Sequence, residues 1–224
     1  MPRSRSLRPT ITRVINSLEK CYGPQRWRSW GNPLDGLIGT VLSQHTSDVN
    51  SDAAFRSLKR AFPRWKTCMT APVASVERAI RSGGLARQKT RSIQAILRSI
   101  DADRGRLSLE FLRRLSMDEA RAYLLALPGV GPKTAACVLL FYLGRPALPV
   151  DTHVYRVSWR LGLIPENATA EDAHGILEPA CPPGRVYAFH VLLIRHGRQI
   201  CRARNPRCRE CVLAGLCPSA VVAG

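Results

Sequence analysis

Four cysteines lie close together near the end of this 224-residue chain, and they restrict its fold more than any other feature. Cys201, Cys208, Cys211 and Cys217 follow the pattern C-x6-C-x2-C-x5-C. Thiolates are soft ligands that suit zinc or an iron–sulfur cluster, and four on one short segment can wrap a compact metal centre. Zinc ribbons usually pair two C-x2-C motifs, whereas here a single C-x2-C is flanked by one cysteine on each side. The spacing therefore favours a four-iron cluster over zinc.

The other four cysteines are scattered through apolar or mixed sequence. They are Cys21, Cys68, Cys137 and Cys181. A chain of this length can bury a core without disulfides, so we predict that these are buried free thiols in a reducing cytosol. There is no run of about 18 apolar residues and no apolar segment after the basic N-terminus. We therefore expect a cytoplasmic protein without a signal peptide or a membrane span.

The strong positive charge predicts a polyanionic partner. Thirty-four basic and sixteen acidic side chains give a net charge of +18, and such a charge favours nucleic acid. Residues 185–211 are the most basic stretch, with seven arginines and one acidic residue. Arg202, Arg204 and Arg207 lie between the first two cysteines, where a rigid metal loop would hold them outward against DNA phosphate. The alternative is a solvated basic surface.

The apolar residues recur at helical intervals, and strand-like alternation is nowhere sustained. One such series is Ile11, Val14, Ile15 and Leu18. We predict an all-α fold of about ten helices, preceded by a mobile basic arm over residues 1–9. The Gly- and Pro-rich breaks at 21–33 and 144–150 are the predicted boundaries between two helical lobes.

Residues 127–135 read L-P-G-V-G-P-K-T-A and predict a helix-hairpin-helix motif over residues 118–143. Gly129 and Gly131, separated by Val130, permit a tight turn with positive φ and leave backbone N–H groups bare at the start of the second helix. Such a helix end can hold a DNA phosphate without reading the base sequence, and we place Thr134 in the same contact. The alternative is a sharp turn between two packed helices.

Asp151 follows the second Pro-rich break within the sequence V-D-T-H. Asp is among the preferred N-cap residues, so we predict that it caps the next helix. The two interpretations, cap and functional carboxylate, are compatible, because a capping carboxylate keeps lone pairs that can face a substrate.

The hairpin, the V-D-T-H segment and the cysteine quartet together resemble the endonuclease III family of DNA glycosylases, the iron–sulfur branch of the helix-hairpin-helix superfamily. The resemblance runs from about Thr10 to Pro218. It implies that the four cysteines ligate a [4Fe-4S] cluster, that Lys133 is the nucleophile, and that Asp151 assists it. It also implies a six-helix barrel lobe at residues 25–145 and a cluster lobe built from residues 10–24 and 146–224.

The activity that this resemblance implies is that of a bifunctional DNA glycosylase and abasic-site lyase in base excision repair. Lys133 would displace an oxidised pyrimidine from double-stranded DNA, form a Schiff base with the sugar, and cleave the strand by β-elimination. We expect the protein to act on damaged bases or abasic sites as a monomer. Two alternatives stay open: a lyase with weak or no base excision, and a non-enzymatic, metal-stabilised DNA-binding module.

Two further segments resemble the residues that the family inserts into DNA. Leu85, in the sequence G-G-L-A, matches the wedge leucine, and the alternative is a loop leucine packed on the core. The family commonly reads S-x-Q-x-x-D where residues 43–48 read S-Q-H-T-S-D. His45 stands at the glutamine position and Gln44 one place earlier, so either could fill the gap in the DNA. Asp48 is the predicted cap of the helix that follows.

Overall fold

The computed structural model describes residues 7–220, which form eleven α-helices and no β-strand. The helices are α1 (Leu7–Tyr22), α2 (Pro33–Ser43), α3 (Asp48–Ala61), α4 (Trp65–Thr70), α5 (Val73–Ala79), α6 (Ala86–Arg104), α7 (Met117–Ala126), α8 (Pro132–Cys137), α9 (Thr152–Arg160), α10 (Ala170–Ala180) and α11 (Val186–Gln199). The all-α prediction is confirmed, with one helix more than the predicted ten. None of these helices has the length and apolar character needed to cross a membrane.

The chain divides into two compact units. We call Ser29–Leu143 the hairpin unit; it contains α2 to α8. We call the described parts of Met1–Arg28 and Gly144–Gly224 the terminal unit; it contains α1 and α9 to α11. The two ends of the chain therefore fold together, while the middle of the chain forms a core of its own.

Helix α2 is the centre of the hairpin unit. Its apolar residues surround the helix axis, as expected for a helix that is buried on most sides, and it contacts α3, α6 and α8. The Asn32 side chain caps its start by accepting from the N–H groups of Leu34 and Asp35, at 2.9 and 3.2 Å. Pro33 occupies the first helical position, where a missing N–H costs nothing. Opposite it, α6 contributes the buried residues Ile93, Ile96, Leu97 and Ile100.

The terminal unit is built on the apolar stripe of α1, which packs against α11 and α10. The predicted series Ile11, Val14, Ile15 and Leu18 is fully buried. Helix α1 begins at Leu7, so the predicted mobile arm is wrong for residues 7–9, and residues 1–6 lie outside the described part of the chain. Pro9 is tolerated because the first-turn N–H groups have no partner within a helix.

Two other local predictions are wrong. Ser47 caps α3, since its Oγ accepts from the N–H of Asn50 at 3.3 Å, and Asp48 is instead the first helical residue. Ser and Asp are nearly equal as caps, so the sequence alone does not separate neighbours of these two types. Cys21 is exposed and Cys137 is only partly buried, so the prediction of buried thiols is right for Cys68 and Cys181 alone.

The two glycines inside α2 test this packing. A methyl group at Gly36 would overlap the ring of Tyr142, whereas one at Gly39 would meet only the Phe55 ring, at 3.8 Å. We expect Gly36→Ala to lower the free energy of unfolding by about 1–3 kcal/mol through overpacking. Gly39→Ala should leave it unchanged or raise it by up to ~1 kcal/mol through helix propensity. Urea unfolding of the two variants measures this, and equal effects would contradict the described packing around α2.

Candidate functional site

The hairpin lies between α7 and α8, at the predicted position. Gly129 has a φ of +73°, and the N–H of Val130 donates to the carbonyl of Leu127 at 3.1 Å. Gly131 is the N-cap of α8 with extended backbone (φ −94°), so only the first glycine needs the left-handed region. A side chain at Gly131 would meet no atom within 4 Å. No hydrogen bond within the hairpin unit uses the N–H of Gly129 or Gly131. The turn therefore leaves two backbone donors without a partner in the hairpin unit, and no side chain crowds the second of them.

Lys133 is exposed on the first turn of α8, directly after this open backbone. It forms no hydrogen bond or salt bridge within the hairpin unit. Its neighbours Val130 and Thr134 are buried, and the Thr134 hydroxyl receives a hydrogen bond from Nε2 of Gln44 at 3.4 Å. Val130 and Thr134 can therefore reach a ligand only through their backbone groups, while the amine of Lys133 is available to one.

Two exposed turns of the hairpin unit hold non-glycine residues in the left-handed region. His45 has a φ of 52° and Leu85 a φ of 47°, and such backbone is strained for residues with a Cβ atom. Leu85 is 53% exposed, which excludes the alternative that it packs on the core. His45 is also exposed, whereas Gln44 is half-buried and directed toward Thr134. The structure thus presents His45 and Leu85 to solvent and turns Gln44 inward.

Asp151 is the N-cap of α9, as predicted. Its Oδ1 accepts from the backbone N–H groups of His153 and Val154, at 2.9 and 2.7 Å. No hydrogen bond within the terminal unit uses the second oxygen, Oδ2. Asp151 is partly buried, so the carboxylate is fixed in direction by the helix and keeps a free acceptor.

Arg156 links this helix start to the cysteine segment, and the sequence did not single it out. Its Nη2 donates to Nδ1 of His153 at 2.9 Å and to the carbonyl of Gly197 at 2.9 Å, and its Nε donates to the carbonyl of Cys201 at 3.1 Å. Because a guanidinium only donates, Nδ1 of His153 is an acceptor and the ring is neutral. Burial, the main cause, lowers the pKa of His153, with Arg156 adding to the effect.

Arg160, one turn further along α9, lies against the first cysteine of the quartet. Its Nη1 donates to the carbonyl of Arg202 at 2.7 Å and lies 3.4 Å from Sγ of Cys201. The spacing of Arg156 and Arg160, four residues apart on one helix face, is the only sequence signal for this role. The two arginines fix the cysteine segment to the helix that carries Asp151.

The four predicted cysteine ligands are all partly buried, and they are close enough for the charge of one to affect the pKa of another. Burial raises the pKa of Cys211, and charge on the other three cysteines adds to the rise. Sγ of Cys211 is also 3.4 Å from Nε2 of His196, whose pKa burial lowers to about 4. Tyr22 bonds the other ring nitrogen of His196 at 3.1 Å.

These contacts fit a thiolate-bound group. The guanidinium of Arg160 donates to Sγ of Cys201, and Nε2 of His196 lies beside Sγ of Cys211, where an N–H on that nitrogen would stabilise negative charge on the sulfur. Residues 7–220 contain no group of three or more His, Cys, Asp or Glu side chains arranged to hold a single metal ion.

The predicted DNA-contacting arginines of the cysteine segment are all exposed. Arg202, Arg204 and Arg207 point away from the packed side chains of the terminal unit, and Arg207 pairs with Glu210 at 3.5 Å. An exposed pair of this kind contributes little and is screened by salt, so it leaves Arg207 able to exchange its partner for a phosphate.

The comparisons with known proteins identify the family. Residues 38–183 match the model of the HhH-GPD superfamily of base excision DNA repair proteins. The chain belongs to this superfamily. A putative DNA glycosylase of Arabidopsis thaliana is 44% identical over 165 residues, which cover 74% of this chain and 56% of that protein. Endonuclease III of Thermotoga maritima is 34% identical over 186 residues, covering 83% of each chain.

A solved structure agrees with this HhH-GPD assignment. A trapped covalent intermediate of endonuclease III with DNA matches with a TM-score of 0.82 and 30% identity, covering 95% of this chain and 96% of the other. Endonuclease III relatives typically carry a [4Fe-4S] cluster. This chain spans about half the length of the Arabidopsis protein.

The cap and the carboxylate of Asp151 can be separated by substitution. Asp151→Ala removes the acceptor of two helix N–H groups and should lower the free energy of unfolding by about 1 kcal/mol. Asp151→Asn keeps an acceptor oxygen and loses only the charge at the helix start, which should lower the free energy of unfolding by about 0.3 kcal/mol. Thermal unfolding of both variants checks this. If Asp151→Asn is as unstable as Asp151→Ala, the negative charge and not the hydrogen-bond acceptor stabilises the helix start.

Proposed function

We propose that this protein is a bifunctional DNA glycosylase and abasic-site lyase of base excision repair that removes oxidised pyrimidines from double-stranded DNA. The observation that carries the proposal is an exposed, unpaired lysine on the first turn after an open hairpin backbone. In the HhH-GPD superfamily such a hairpin serves DNA repair, and a relative with 30% identity has been trapped covalently on DNA. A lysine amine is the side chain that can form such a covalent link through a Schiff base.

Lys133 acts as the nucleophile in this proposal. Its Nζ attacks C1′ of the extruded nucleotide, the C1′–N bond to the base breaks, and the base departs with the electron pair. Opening of the sugar ring then gives a protonated Schiff base, which makes the C2′ proton acidic. Loss of that proton expels the 3′-phosphate by β-elimination, and water finally releases the lysine.

Asp151 is the general base and electrostatic partner. Lys133 must lose a proton before it attacks, and the free Oδ2 of Asp151 is the acceptor that we assign to it. The same carboxylate stabilises positive charge that develops on the sugar. Because two backbone N–H groups fix Oδ1, the carboxylate is oriented before the substrate arrives.

The DNA backbone is held by groups that read no sequence. The unpaired N–H groups of Gly129 and Gly131 suit a phosphate oxygen at the start of α8. Exposed Arg202, Arg204 and Arg207 supply charge from the cysteine segment. This division fits an enzyme that must bind DNA at any sequence and find its specificity in the extruded base.

The gap left by the extruded base is filled by Leu85 and His45. Both side chains lie on strained, exposed turns of the hairpin unit. A side chain inserted into the base stack offsets the free-energy cost of extruding the base, which is about 3 kcal/mol. We assign the second insertion to His45 rather than Gln44, because the Gln44 amide is bonded to Thr134.

The quartet Cys201, Cys208, Cys211 and Cys217 would hold the [4Fe-4S] cluster. When bound, the cluster supplies a rigid tether for the segment rather than a step of the reaction. The bonds from Arg156 and Arg160 then hold that segment against α9, which carries Asp151.

Borohydride trapping on DNA with an abasic site tests the nucleophile. Lys133→Ala should abolish the covalent complex, because no other residue is assigned to form the Schiff base. Lys66→Ala is the matched control, since Lys66 is an exposed lysine of the same unit whose ammonium pairs with Asp101, and it should trap like the wild type. Asp151→Asn should slow trapping by about 100-fold or more while remaining folded.

Three outcomes would count against this mechanism. Undiminished trapping by Lys133→Ala would remove Lys133 from its role. Cleavage of abasic sites without release of any oxidised pyrimidine would favour a lyase with weak or no excision. Tight DNA binding by the wild type with no trapping would favour a non-enzymatic binding module.

Metal analysis tests the quartet. Cys208→Ser should lose iron and acid-labile sulfide, unfold at a lower temperature and bind DNA more weakly, because the arginine segment is no longer held. Cys21→Ser is the matched control, since Cys21 is exposed and outside the quartet, and it should keep its iron. A Cys208→Ser protein that is stable and binds DNA tightly but has no activity would contradict the tethering role. If metal analysis of the wild type finds zinc instead of iron, the quartet is a zinc site and not a cluster site.

A further inference from the structure

Lys89 is a buried lysine that the reaction does not use. It lies on the first turns of α6, only 3% of it is exposed, and it forms no salt bridge with any described residue. A buried cation is costly unless its charge is compensated, so a lysine in this position requires a specific physical reason. Burial also lowers the pKa of Lys89.

The Lys89 ammonium is compensated by two backbone carbonyls from different parts of the hairpin unit. Nζ donates to the carbonyl of Leu42 at 2.7 Å and to the carbonyl of Gly83 at 2.7 Å. Leu42 lies in the last turn of α2, where carbonyls have no partner within the helix and carry the negative end of the helix dipole. The one ammonium therefore satisfies a helix end and a loop at the same time.

Each of these carbonyls lies two or three residues before the residue with positive φ in one of the strained turns. His45 follows Leu42 by three residues, and Leu85 follows Gly83 by two. The backbone of Gly83 also packs closely against α3 on its other side. A Cβ atom at this position would lie only 3.1 Å from Cβ of Ala54. Without Lys89, two buried carbonyls at the bases of the two turns would lose their partner.

We propose that Lys89 is a positioning residue whose ammonium couples the turns at His45 and Leu85, so that both side chains are held in place to enter the DNA together. This rests on the proposed function, in which those two side chains fill the gap left by the extruded base. The role differs from that of Lys133, because Lys89 does not touch the substrate and acts through the backbone of Leu42 and Gly83.

Gln94, on the same helix, provides a matched control. It is also 3% exposed, and its Nε2 donates to two backbone carbonyls, those of Cys68 at 3.1 Å and Ala71 at 2.8 Å. These carbonyls lie at the end of α4, away in sequence from both strained turns. Lys89→Met and Gln94→Met therefore place the same side chain in equally buried sites and each remove two hydrogen bonds to backbone.

The first measurement is amide hydrogen exchange of the free protein, which needs no activity. Lys89→Met should speed exchange about tenfold in residues 43–48 and 83–87, whereas Gln94→Met should act on residues 68–72 instead. Unchanged exchange at both strained turns in Lys89→Met, or the same change in both variants, would overturn the proposal. If Lys89→Met does not fold, Lys89→Gln, whose shorter side chain keeps an amide donor but loses the charge, should show a smaller rise in the same two segments.

The second measurement separates extrusion from chemistry by single-turnover kinetics. Excision of a paired oxidised pyrimidine should slow about tenfold or more in Lys89→Met, while cleavage of a preformed abasic site should change by less than about threefold, because no base has to leave the stack. Gln94→Met should change the two rates by the same factor. Equal losses in Lys89→Met would make Lys89 merely structural and overturn the proposal.

A wild-type protein that excises no base would refute the proposed glycosylase activity alone. The exchange measurement would then still decide whether Lys89 couples the two turns.

Discussion

Each end of a helix leaves backbone groups without partners, and the way in which this chain satisfies them determines where it can act. The first donors of α9 are taken by Asp151. A carbonyl in the last turn of α2 is taken by the buried ammonium of Lys89. At the start of α8, by contrast, the N–H of Gly131 is unpaired within its unit, and a side chain at Gly131 would meet no atom within 4 Å. Asp151 and Lys89 therefore satisfy the helix ends that they cap, whereas the start of α8 has no side-chain cap and can take a phosphate.

The same groups that close helix ends also orient the proposed chemistry. The two bonds that make Asp151 a cap leave its other oxygen directed by the helix, so stability and reactivity come from one side chain. Arg156 extends this arrangement from the first turn of α9 to the carbonyl of Cys201. A metal-bound cysteine segment would therefore stiffen the element that carries the proposed base, without taking part in the reaction.

The sequence predicted the features that depend on local spacing. The hairpin turn at Gly129 and the cap at Asp151 follow from conformational preferences within a few residues, and the structure contains both. Helix ends are predicted less exactly from local sequence, because helix propensity and a tolerated first-turn proline do not fix a boundary. Helix α1 begins at Leu7 rather than near Thr10. The exposure of Leu85 could not be decided, since packing on the core depends on distant residues.

The long-range polar contacts were out of reach for the same reason. Lys89 bonds a carbonyl 47 residues away, Arg156 bonds one 45 residues away, and Gln44 bonds a hydroxyl 90 residues away. Nothing in the local pattern distinguishes these side chains from solvated ones, because lysine, arginine and glutamine are usually exposed. Only the fold shows that they fix the turns and helix ends on which the proposed site depends.

The proposed reaction requires that one amine of this chain bonds covalently to the opened sugar. The chain has five lysines, so proteolysis of the borohydride-trapped wild-type complex followed by mass spectrometry of the DNA-linked peptide can identify which one carries the adduct. We expect the adduct to map to Lys133. An adduct on any other lysine or on the N-terminal amine would contradict it.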